Sequence, residues 1–172
     1  VNAGNSIASG GNYNTVVGDE AGTALTTGDG NVAVGFEALK TEDANGESTA
    51  IGYQALKTQN AGISGLNVAV GYKAGAAVTT GTINTLIGAL AGDALTTGNS
   101  NVAVGHTALS ADTLGDRNVA IGNNALAQQN FTSSTDSYNV AIGYVAGGSV
   151  STGVENTLIG GLAGDAITTG YY

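Results

Sequence analysis

The single histidine of this 172-residue chain, His106, and its thirteen Asp and Glu residues are the first candidates for chemistry. A lone histidine makes no triad: it activates a nucleophile only when a second group orients it and a hydroxyl or thiol stands within reach. The acidic pairs Asp19-Glu20 and Glu42-Asp43 bring carboxylates together in sequence. Neighbouring residues of an extended segment point to opposite sides, however, and cannot share a substrate. Asp29, Asp93, Asp116 and Asp165 each follow a glycine, as in calcium-binding repeats. Their spacing is irregular and no nonapeptide recurs, so solvated turns account for them. Gly28-Asp29-Gly30-Asn31-Val32-Ala33 fits the dinucleotide fingerprint in letters but leads into a strand, where the fingerprint must open a helix. Asn130-Phe131-Thr132 is a glycosylation sequon with meaning only in a eukaryotic secretory setting. No catalytic, cofactor-binding or metal-ligating set emerges, and the expectation is a protein that is not an enzyme.

Two other groups of residues suit recognition. Phe36, Tyr53, Tyr72 and Tyr144 occupy one repeated position and would form a platform for sugar rings if their faces were exposed; the alternative is that they cover the edge of a neighbouring repeat. Gln128 to Tyr138 gathers Phe131, Asp136 and Tyr138 among serines and threonines, a mixture suited to a polar host-surface glycan or, equally, to a spacer without a ligand.

What must position these residues is a repeat. Aligned on the glycine that closes Asn-Val-Ala-Val-Gly, copies end at Gly18, Gly35, Gly52, Gly71, Gly88, Gly105, Gly122, Gly143 and Gly160, spaced by 17, 17, 19, 17, 17, 17, 21 and 17 residues. The residue before each anchor is β-branched: Val17, Val34, Ile51, Val70, Ile87, Val104, Ile121, Ile142 and Ile159. So is the residue two places earlier, which a period of two puts on the same face. Each copy is therefore a short strand, and these columns are expected to be its core. The residue between them is Val, Ala or Leu, so both faces look buried and another sheet or chain must cover one of them. On that reading Ile121→Asp abolishes folding.

An alanine stands three places after every anchor, and the next position is glycine in five copies and leucine in four. Glycine-type copies run on into Thr-Thr-Gly or a close variant; leucine-type copies run into polar loops. Asparagine opens eight strands and Ser48 the ninth. Such a column is either a rung-to-rung amide ladder or turn chemistry. The near-identical segments Asn84-Thr85-Leu86-Ile87-Gly88 and Asn156-Thr157-Leu158-Ile159-Gly160 lie 72 residues apart, the mark of a duplicated four-copy unit.

Composition agrees with a stacked array. Twenty-nine glycines, two phenylalanines and no tryptophan or methionine cannot furnish a conventional globular core. The absence of proline suits strands whose N–H groups all join ladders. A formal charge of −9 argues against nucleic acid and anionic membranes as partners. There is no cysteine, hence no disulfide or thiolate metal site. No stretch approaches the roughly 20 apolar residues of a membrane-spanning helix. Val1-Asn2-Ala3-Gly4 resembles neither an initiator start nor a signal peptide, and the chain is expected to be a processed or excised piece.

The anchor phrase resembles the head repeat of trimeric autotransporter adhesins. The longer phrase, Asn-Thr-Leu-Ile-Gly with Ala-Gly or Ala-Leu and then Thr-Thr-Gly, is similar to repeats of bacteriophage tail fibres. The likeness spans Asn14 to Gly170, with a longer period than the adhesin repeat. It implies a trimeric parallel β-roll on the outside of a cell or virion. The expected architecture is all-β: residues 1–172 form one array, a parallel β-helix of nine repeats of about 17 residues assembled as a homotrimer. Its expected role is a shaft or adhesion segment of an extracellular fibre, without cofactor. The alternatives are a filament subunit stacking end to end and an ice-binding solenoid suggested by the Thr-Thr-Gly turns. Whether one or two repeats make a turn is open at this stage.

Overall fold

A computed structural model describes residues 2–170. The chain is a β-solenoid with one repeat per turn. Nine three-residue strands form a single parallel sheet in chain order: β1 (Thr15–Val17), β2 (Val32–Val34), β3 (Thr49–Ile51), β4 (Val68–Val70), β5 (Thr85–Ile87), β6 (Val102–Val104), β8 (Val119–Ile121), β10 (Val140–Ile142) and β11 (Thr157–Ile159). Register never slips: Thr15 faces Val32, Val32 faces Thr49, and so on to Val140 facing Thr157. The dipeptides β7 (Gly115–Asp116) and β9 (Thr135–Asp136) make a small second parallel pair. At about 4.8 Å per rung the sheet is about 40 Å long.

Each strand stops at its anchor glycine because the backbone turns there with φ between +121° and +141°. That region disfavours any side chain. Space forbids one as well, since a Cβ on any anchor from Gly18 to Gly143 would run into the carbonyl of the next anchor. Two and four places on, the chain turns left-handed again, at Glu37 and Leu39 for example, with φ of 53° and 50°.

The anticipated core columns lie on the wrong side of the sheet for a single chain. Within each strand the middle residue points inward: Ala33, Ala50, Ala69, Leu86, Ala103, Ala120 and Ala141 are fully buried. Val17, Ile51, Ile87, Ile121 and Ile159 are 36 to 68% exposed, and Val34, Val70, Val104 and Ile142 are half-buried on the same outer face. A 17-residue turn encloses too narrow a section for two facing rows of Val and Ile. The alanine column and the alanine three places after each anchor fill it instead.

The two kinds of repeat are two ways of filling one volume. Where leucine occupies the fourth position, as at Leu39, Leu56, Leu109 and Leu126, the side chain is wholly buried although φ is +47° to +54°. The left-handed conformation costs about 1–2 kcal/mol and burial returns about 1.5–3 kcal/mol. Where glycine stands there, a neighbouring leucine takes the space. A Cβ at Gly75 would sit 2.7 Å from Leu86 Cδ1, and one at Gly92 would sit 2.8 Å from Leu86 Cδ2. Leu158 stands in the same relation to Gly147 and Gly164.

The asparagine column is a ladder between side chain and backbone. Asn84 Oδ1 accepts the N–H of Asn101 at 2.9 Å, and Asn84 Nδ2 donates to Gly98 O at 2.9 Å. The same two bonds recur from Asn14, Asn31, Asn67, Asn101 and Asn139, each reaching 17 and 14 residues on. Each amide thus fastens its strand to the next and closes its own turn. Replacing Asn101 by Ala strands the N–H of Asn118 and the carbonyl of Gly115 in a buried site. The expected loss is about 2–4 kcal/mol, read by urea denaturation.

Candidate functional site

Three of the four rings proposed as a sugar platform come together, but not as a platform. Phe36, Tyr53 and Tyr72 stand on consecutive rungs, with centroids 5.3 and 5.4 Å apart and planes inclined by 22° and 13°. They give their faces to one another and their edges to solvent, while Lys73 Nζ lies over Tyr72 at 5.4 Å. A sugar stacks on a face, so the interior of this column has none to offer. Tyr144 stands apart from the three and is 61% exposed. Its column neighbours on the adjacent rungs are Asn123 and Gly161. His106 shares the column, and its Nδ1 lies 3.3 Å from Thr107 Oγ1. That hydroxyl also reaches His106 O and Asn124 Oδ1, two acceptors for its one proton.

The stretch from Gln128 to Tyr138 is a built corner, not a free loop. Phe131 is turned inward and only 6% exposed, which removes it from the anticipated ligand-contact set. Asp136 and Tyr138 do face out. Asp136 pairs with Arg117, whose guanidinium carbon lies 5.7 Å over the Tyr138 ring. The strand pair β7 and β9 and the bond from Ser134 Oγ to Asp116 at 2.9 Å fix the path between. The four extra residues thus fold into the array.

The burial of two carboxylates, Glu42 and Asp112, escaped sequence reasoning. Seven places after the anchor, glycine-type repeats carry Leu25, Val78, Leu95, Val150 or Ile167, while leucine-type repeats carry Glu42, Gln59, Asp112 or Gln129. All four polar residues are fully buried. Gln59 Nε2 donates to Glu42 at 2.7 Å and to Ser48 Oγ at 2.8 Å, and Gln59 Oε1 accepts from Asn67. Four repeats later Gln129 donates to Asp112 at 2.6 Å and accepts from Asn139. The signal was present as a column: the seventh position changes from apolar to polar whenever the fourth changes from glycine to leucine.

Desolvation raises the pKa of Glu42 and of Asp112 above the ordinary carboxylate value, against hydrogen bonds that work the other way. Glu37 behaves oppositely. Hydrogen bonds from Lys40 and then Lys57 hold it down to about 2, with Nζ–O distances of 2.6 and 2.7 Å. A polar cavity of about 260 Å³ opens at the corner of the first rungs, lined by Asp29, Asn45, Gly46, Glu47 and Ser64 among others. Asp29 Oδ1 there already accepts the N–H of Asn12. Among the described residues no group of three or more His, Asp or Glu could hold a metal ion. No helix among them is long and apolar enough to cross a membrane.

No family model, curated protein or solved structure matches this chain.

The buried carboxylates predict a pH dependence with a definite sign. A carboxyl with a raised folded pKa binds its proton more tightly folded than unfolded. Its stabilisation is complete below the unfolded value and is lost as pH rises through the folded one. Glu37, lowered to about 2, contributes above its unfolded value and is lost on acidification. Glu42→Gln keeps the shape and removes the charge. It should raise the melting temperature at pH 7, change it little near pH 4, and flatten the pH profile between, as followed by circular dichroism.

Proposed function

We propose that this chain is a rigid shaft segment of an extracellular fibre, assembled as a homotrimer in which three outer sheet faces cover one another. The observation that carries the reading is the outer face itself. Two rows of β-branched residues run its length, five of them Val17, Ile51, Ile87, Ile121 and Ile159 at 36 to 68% exposure, and no strand places a charge there. A long apolar strip of that kind marks an interaction surface. Without exchange of strands, a parallel sheet of constant register offers an identical copy the same pattern at every rung. The resemblance of the repeat phrases to phage tail fibres and autotransporter heads points the same way.

The position of Ile121 makes the reading testable. In a lone chain Ile121→Asp leaves the carboxylate in water and costs about 1 kcal/mol. In a trimer it buries three unpaired charges. Sedimentation equilibrium should find a trimer for the parent and a folded monomer for the variant. A monomeric parent at micromolar concentration would overturn the proposal.

A second reading, a filament subunit that stacks end to end, is favoured by the constant parallel register of the nine-stranded sheet, which suits continuation rung upon rung by a further copy. Electron microscopy separates the two readings: discrete short rods support the shaft, and filaments with a subunit repeat support stacking.

A further inference from the structure

One position after the anchor the column reads Asp19, Phe36, Tyr53, Tyr72, Ala89, His106, Asn123, Tyr144 and Gly161, so tyrosines meet on neighbouring rungs at one place. There the rings of Tyr53 and Tyr72 are nearly parallel, 5.4 Å apart, and 44 and 49% exposed. Two phenols held side by side and open to solvent are poised for radical coupling. We propose that Tyr53 and Tyr72 form an oxidative cross-linking site, joined as a dityrosine when the chain meets a peroxide and a peroxidase.

The step balances. Each phenol gives up one electron and one proton to become a phenoxyl radical. The radicals combine through a carbon ortho to each oxygen, and loss of the two ring hydrogens to the phenoxyl oxygens restores both aromatic rings. Two C–H bonds are replaced by one C–C bond, and the two electrons and two protons reduce one hydrogen peroxide to two waters. Pairing on the array makes the second encounter intramolecular, the condition under which coupling outruns diffusion. The half-exposed rings need only swing about their Cα–Cβ bonds to bring the ortho carbons together.

The geometry also limits the reaction to one bond per array among the described tyrosines. Phe36, on the far side of Tyr53, has no phenol hydrogen to lose, and Lys73 lies over Tyr72. Tyr13 and Tyr144 have no tyrosine on an adjacent rung, and Tyr138 lies under Arg117. Residues 171 and 172 fall outside the described region. The bond would bracket the 19-residue repeat between Gly52 and Gly71, the rung opened by Ser48 where the asparagine clip is missing. Oxidation would thereby add a covalent closure to the rung that Ser48 opens in place of asparagine. The inference stands whether or not the fibre reading does.

The test treats dilute purified chain with a peroxidase and limiting peroxide, then digests it with trypsin. The expected product is residues 41–57 joined to residues 58–73, lighter than their sum by two hydrogens, fluorescing blue and derived from a band of single-chain size. Its yield should fall by about tenfold when the chain is oxidised in urea. Tyr72→Phe preserves the stack, as Phe36 already does against Tyr53, and should abolish the joined peptide; Tyr144→Phe should not affect it. The proposal is overturned if the folded chain yields no joined peptide while its other tyrosines oxidise, or if the unfolded chain yields as much.

Discussion

A side-chain amide that bonds to backbone on two rungs at once is the interaction on which the rest of this structure depends. A three-residue strand has too few ladder bonds to hold register alone, and with apolar residues on both faces a one-residue slip exposes little that was not exposed before. Asparagine removes that freedom. Its oxygen takes the N–H of the next rung's asparagine and its nitrogen holds a carbonyl 14 residues on, so strand and turn are fixed by one side chain. Both partners are buried, which makes a broken bond costly and the ladder cooperative. The two long rungs depart from this rule. In the one opened by Ser48, Gln59 bonds to Ser48 and Asn67; in the one opened by Asn118, Ser137 Oγ donates to Asn118 Oδ1 at 2.8 Å. The inserted residues enter where the ordinary clip is absent or, at Asn118, keeps only its bond to the N–H of Asn139.

The interior is settled by volume and not by hydrophobic content. Alanine, glycine and leucine exchange places so that each rung presents the same filled cross-section, and a leucine in one strand fits because glycines flank it above and below. The polar seventh position follows from the same constraint. Once leucine occupies the fourth position, the remaining space holds an acid and an amide that bond to each other across rungs. Those pairs bring buried charge into a chain that has little apolar area to spare.

Much of this was legible in the sequence. The period, the strand in each repeat, the parallel stacking and the two kinds of repeat all follow from columns that can be read without coordinates. The direction of each face does not. A period of two says that Val119 and Ile121 share a side with each other and not with Ala120, but apolar residues on both sides leave the inward one undecided. Bulk suggested Ile121; the narrow turn selects Ala120. The corner at Phe131 misled for a related reason, since an insertion reads as solvent-facing unless something shows that its aromatic ring fills a gap. Tyr53 and Tyr72 were rightly placed in one column, yet only ring geometry distinguishes a surface of faces from a stack of edges.

The closed turn also has a mechanical consequence. A pull along the solenoid axis on the two ends of the chain loads the terminal rung first, because each rung contacts only its neighbours. Freeing one ordinary turn releases 17 residues, whose extended contour is about 55–60 Å, while the array shortens by about 4.8 Å. Length would therefore be paid out in nearly equal steps of roughly 50 Å, interrupted by two larger ones at the rungs of 19 and 21 residues. A solenoid built this way yields to tension as a ratchet of discrete extensions, each absorbing work before the next rung bears the load.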